Sequence, residues 1–148
     1  MSSGGYGTFK KLNNKTGFKY LHNSKFFNTI KEANTNTQCF ISLMEEFLTQ
    51  KAAHEKLPKV ICKPIGISLF KIEENVYVWG LEMEYLGKKT LRKTHNNYDV
   101  RNKIISKFIR LLSNNGILHD DIHANNIMNH KGRYKVIDFG CANIERFD

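Results

Sequence analysis

A chain of 148 residues, 41% of them hydrophobic and 25% charged, can bury a core for one domain or two small lobes and is too apolar to be a disordered tail. Its net charge of +9 favours acidic partners, yet the Lys and Arg residues are scattered rather than blocked, which argues for a solvated surface over a nucleic-acid groove. Cys39, Cys62 and Cys141 form an odd set without metal-ligand spacing, and no stretch has the length of a membrane span or the apolar core of a signal peptide, so the expectation is a soluble protein of a reducing, cytoplasmic compartment.

Residues 2–7, Ser-Ser-Gly-Gly-Tyr-Gly, are rich in glycine, which lets backbone N–H groups approach a ligand without side-chain obstruction. Residues 8–12 read as a strand, 13–17 as a polar turn and 18–21 as the return strand, which carries Lys19. The polar cluster 34–37 can cap a helix, in which Phe40, Leu43, Met44, Phe47 and Leu48 recur at helical spacing, and Leu57-Pro58 closes it.

Residues 60–70 and 76–81 read as two further strands about Glu73-Glu74-Asn75, followed by Leu-Glu-Met-Glu-Tyr-Leu-Gly at 81–87. Residues 88–99 are polar, irregular or one short helix. Ile104, Ile105, Phe108, Ile109, Leu111 and Leu112 mark a well-buried helix over 100–112, with Gly116 supplying a left-handed stop.

The densest chemistry follows. Asp121 and Asn126 are five residues apart in His-Asp-Asp-Ile-His-Ala-Asn-Asn, and Asp138 ends an apolar strand-like run before Phe139-Gly140. A hairpin with Lys131-Gly132 at its turn separates them. Magnesium takes hard oxygen ligands, so a carboxylate and an amide oxygen suit it, while a second carboxylate kept off the metal can accept the proton of an attacking hydroxyl. The bland alternative is a polar loop whose Asp and Asn serve turns.

This stretch resembles the protein-kinase fold: His119 to Asn126 is similar to the catalytic loop His-Arg-Asp-x-x-x-x-Asn, and Asp138-Phe139-Gly140 to the metal-binding Asp-Phe-Gly. The resemblance implies an α+β, two-lobed kinase-like fold, with an antiparallel-sheet N-lobe over residues 1–83, a hinge at 84–87 and a partial helical C-lobe over 88–148. It implies an ATP- and Mg2+-dependent phosphotransferase, of serine/threonine protein-kinase type, with Asp121 and Lys19 catalytic and Asn126 and Asp138 on the metal. Gly4, Gly5, Tyr6 and Gly7 would form the glycine loop. Lys19, with Lys25 as its rival, would grip phosphate and pair with Glu45, for which Glu46 and Glu32 are alternatives. Met83 would line the nucleotide pocket, and Glu84 and Leu86 would offer it main-chain contacts.

Asp120 stands in place of the arginine that reads activation-loop phosphate, and His123 in place of a lysine, as in atypical and small-molecule kinases. Only eight residues follow Gly140, so the resemblance reaches short kinase-like bacterial effectors and truncated viral kinase homologues. In these a host or partner protein would cover the shortened lobe. The competing expectation is a kinase-shaped binding or inhibitor module with little chemistry of its own.

Overall fold

The computed structural model describes residues 2–4, 7–21, 24–139 and 143–144, with backbone alone at 2–4 and 143–144. The fold is mixed α+β with an antiparallel sheet. The chain divides into two compact units, Met1–Leu48 with Pro64–Tyr85, and Thr49–Lys63 with Leu86–Asp148.

The first unit carries strands β1 (Ser2–Gly4), β2 (Gly7–Lys11), β3 (Thr16–Leu21), β4 (Pro64–Glu73) and β5 (Val76–Glu84) in the sheet order β1-β2-β3-β5-β4. The turn between β2 and β3 is closed by Asn13, whose Oδ1 accepts from the Lys15 and Thr16 N–H groups at 2.8 and 2.9 Å. The turn between β4 and β5 places Asn75 at φ 58°, a left-handed position that asparagine tolerates. Strand β5 runs three residues past the expected end at 81, because its last residues still find partners: Glu84 lies opposite Thr16 and Met83 opposite Gly17. Phe18 and Phe70 stack with centroids 4.0 Å apart over Gly80, and Val78 and Leu81 are fully buried in the same strand.

Two helices, α1 (Ile30–Thr35) and α2 (Gln38–Lys56), stand where one was expected. The cluster at 34–37 does not cap the long helix alone; Thr35 ends α1, which is itself capped by Thr29, whose Oγ1 accepts from the Glu32 N–H at 3.1 Å. Short α1 leaves no period to read, since only Ala33 of its six residues is buried. The buried stripe of α2 is Leu43, Glu46, Gln50 and Ala53, whereas Leu48, expected in the apolar stripe, is 49% exposed.

The second unit holds α3 (Leu91–Thr94), α4 (Tyr98–Asn114), β6 (Ile117–Leu118), β7 (Ile127–His130), β8 (Arg133–Val136) and β9 (Asn143–Ile144). Residues 49–63, expected with the sheet, count here instead: Ala53 and Ile61 pack with Leu91, Leu112, Ile117, Ile127, Val136 and Phe139. For the same reason β4 starts at Pro64 rather than 60, since Ile61 bridges Val136 and the Cys62 N–H donates to the Val136 carbonyl. Helix α4 begins at Asn97, whose Oδ1 caps the Asp99 and Val100 N–H groups, and stops before Gly116 at φ 72°. Strands β7 and β8 form the expected hairpin, with Lys131 and Gly132 at φ 52° and 81°, the paired positive values of a type I′ turn. Strands β6 and β9 pair Ile117 with Ile144 and Leu118 with Asn143. No helix among the described residues is long and apolar enough to cross a membrane.

Candidate functional site

In the first unit, Lys19 sits mid-way along β3, and its Nζ donates to both oxygens of Glu46 on α2, at 2.9 and 3.0 Å. Both residues are only 6% exposed. The partner is therefore Glu46 and not Glu45, which faces solvent one position earlier. The reason is helical phase: one residue turns the side chain by about 100°, and Glu46 shares the buried stripe with Leu43 and Gln50. The rivals fall elsewhere. Lys25 stands 5.8 Å over the Phe27 ring, and Glu32 lies in the first turn of α1.

The glycines that precede this strand are partly in view. Gly4 ends β1 opposite Gly7, which opens β2. Gly5 and Tyr6 lie outside the described residues. Met83 is buried and Glu84 half-buried at the end of β5, within the sheet rather than in a linker. Leu86 is 5% exposed in the second unit, where its carbonyl lies 3.3 Å from His130 Nδ1.

In the second unit the loop 119–126 and the end of β8 are tied together through His119. Its Nδ1 accepts from the Asp121 N–H at 3.2 Å. That leaves the proton on Nε2, which donates to the Ile137 carbonyl at 3.1 Å. The ring also meets Phe139 edge-on, 4.8 Å between centroids. His119 is 2% exposed, and burial holds its pKa below the ordinary 6.5, against the opposing pull of the Ile137 carbonyl and of the Asp138 and Asp121 carboxylates. One neutral imidazole therefore fixes the backbone before both acidic residues and feels both charges. The signal for it in the sequence was a histidine directly after the apolar pair Ile117-Leu118.

Asn126 locks the loop from the other side. Its Nδ2 donates to the Asp121 carbonyl at 2.8 Å and to Asp121 Oδ2 at 3.3 Å, and its own carbonyl accepts from the Ile137 N–H at 2.9 Å. The amide nitrogen, not the oxygen, is thus engaged with Asp121. The His123 ring accepts the Asn125 N–H at Nδ1, and its Nε2 stands 3.6 Å from Asp121 Oδ1. Asp120 and Asp138 both adopt left-handed backbone, φ 64° and 62°. Such positions favour glycine or Asn/Asp and concentrate at functional loops.

Among the described residues no three His, Cys, Asp or Glu side chains cluster as a metal cage. Asn126 carries an amide oxygen and Asp138 a carboxylate, hard donors of the chemical type that magnesium takes. The chain matches no protein-family model, and no match to a curated protein was found.

Proposed function

We propose that the chain is an ATP-dependent phosphotransferase of protein-kinase type, with residues 1–83, less 49–63, in the role of the sheet lobe and the remainder in that of a short helical lobe. The observation that carries this reading is the buried, two-oxygen pair of Lys19 with Glu46. An ion pair withdrawn from water brings little net stability, so its presence on a strand and a long helix calls for another use. In kinases a strand lysine held by a helix glutamate grips the nucleotide phosphates. Independent support comes from the loop 119–126, where Asn126 orients Asp121 through the two bonds described above.

Lys19 meets the phosphates of ATP, and Asp121 orients the acceptor hydroxyl. As the hydroxyl oxygen bonds to the γ-phosphorus, the bond from that phosphorus to the β,γ-bridging oxygen breaks. ADP leaves with the electron pair, and the hydroxyl proton passes to the Asp121 carboxylate. Asn126 and Asp138 would hold Mg2+, which neutralises phosphate charge when bound.

The test is γ-phosphate transfer from labelled Mg-ATP to water, to the chain itself and to a panel of protein and small hydroxyl acceptors, for the wild type and Asp138→Ala. Transfer lost in Asp138→Ala is the expected result; equal transfer in the two overturns the assignment. A thermal shift with Mg-ATP separates the binding module from the enzyme, since a ligand at 100 times its Kd stabilises by about 2.7 kcal/mol. A shift without transfer would replace the enzyme by a nucleotide-binding scaffold.

A further inference from the structure

Gly7 faces the side chain of Lys19 across the β2–β3 ladder. A Cβ at Gly7 would stand 2.9 Å from Lys19 Cε and 3.3 Å from Lys19 Cγ, and 2.7 Å from the Tyr20 carbonyl oxygen. The first two contacts are with the aliphatic stem of the very side chain whose ammonium is held at 2.9 and 3.0 Å by Glu46. The stem is therefore confined between the bare backbone of β2 on one side and the Glu46 carboxylate at its tip. Gly7 is itself buried and adopts no left-handed backbone that would demand glycine, so its conformational freedom does not explain it. What its missing side chain provides is room.

We propose that Gly7 is a positioning residue for Lys19: the hydrogen in place of a side chain forms the slot along which the lysine stem lies, and so sets where its ammonium is presented. This rests on the proposed role of Lys19, yet the slot itself can be tested without it. A larger residue at position 7 pushes Cε and Cγ aside, turns the ammonium off Glu46 and exposes it. In kinase terms Gly7 would serve the lysine, not only the phosphates above it.

The experiment compares the wild type, Gly7→Ala, Lys19→Ala and the double variant Gly7→Ala/Lys19→Ala. The first readout is acylation of the Lys19 amine by an N-hydroxysuccinimide ester, followed by mass spectrometry, with Lys71 on the same sheet as an exposed internal standard. Labelling of Lys19 relative to Lys71 is expected to rise by about tenfold in Gly7→Ala, a change worth about 1.4 kcal/mol in the opening of the pair. An unchanged ratio overturns the slot. The second readout is the Kd for Mg-ATP. It should weaken about tenfold in Gly7→Ala but change less than about twofold when Gly7→Ala is added to Lys19→Ala, since the effect runs through the stem. An equal loss in both backgrounds assigns Gly7 to the strand ladder through the Tyr20 carbonyl and overturns the proposal. Should Gly7→Ala fail to fold, recovery of folding in the double variant supports the slot, and failure of both overturns it. A rise in labelling with no nucleotide binding by the wild type would refute the proposed function and leave the slot standing.

Discussion

Glu46 and Glu45 are neighbours in the chain and opposites in consequence. At about 3 Å, and with the effective dielectric near 20 that suits protein interiors, two unit charges attract by roughly 5–6 kcal/mol. Most of that is offset by taking both ions out of water. Removing one partner abandons the attraction and keeps the penalty on the other, so Glu46→Ala, which takes a two-oxygen carboxylate away from the Lys19 ammonium at 6% exposure, should cost about 3–5 kcal/mol. That is a large share of a typical stability of about 5–15 kcal/mol. Glu45→Ala on the exposed face should stay within about 1 kcal/mol. Urea unfolding followed by circular dichroism at 222 nm, with the pair variant Lys19→Met/Glu46→Leu included, measures all three. The pair variant should be less destabilised than Glu46→Ala, because neither charge of the pair stays buried. Equal costs for the two glutamates, or a pair variant as damaged as the sum of its parts, would refute the reasoning.

Two further perturbations test the packing and the loop. Gly80→Ala would set a Cβ 2.7 Å from Phe18 Cδ2 and 2.8 Å from Phe70 Cδ2, so it should part the stacked rings and destabilise by about 1–3 kcal/mol, read as a lower urea midpoint. His119 is held neutral by burial, with a folded pKa below the unfolded value of 6.5. As pH falls below 6.5 the unfolded chain takes up a proton that the folded chain does not, so this residue's contribution to stability is whole above pH 6.5 and declines as pH falls towards the folded pKa. His119→Gln should flatten the stability profile between pH 7 and 5, and an unchanged slope would remove His119 as its source.

Much of the second unit was legible in the letters. Helix α4 announces itself through Ile104, Ile105, Phe108 and Leu112 on one side, although it is less buried than expected, with Leu112 its one fully buried residue and Ile109 49% exposed; the Lys131-Gly132 turn announces itself through the positive φ values that a two-residue hairpin needs. These are local matters: side-chain period and backbone sterics act within a few residues. The spacing of Asp121 and Asn126 was legible as well, but the bonds from the Asn126 amide nitrogen to Asp121 were not expected from it.

Helix α2 was harder, because its inward face is not its most apolar one. Leu48 points outward while Glu46 and Gln50 are buried, so hydropathy alone turns the helix the wrong way. Gln50 is tolerated there because its Nε2 donates to the Cys62 carbonyl at 2.8 Å, a partner no periodicity can foresee. The same holds for the start of β4, which waits until Pro64 because Ile61 and Cys62 are already bound to Val136, seventy-odd residues away.

What the sequence by itself determined, then, is much of what near neighbours govern, short α1 excepted: hairpin turns, helix stops, the spacing of Asp121, Asn126 and Asp138, and a lysine on the third strand. Tertiary structure alone decided which carboxylate Lys19 meets, that a Cβ at position 7 would meet the Lys19 stem, and how one buried histidine ties the loop at 121 to the chain at 137. Those choices depend on which face of an element is withdrawn from water and what waits for it there, and only the assembled chain brings such partners within reach.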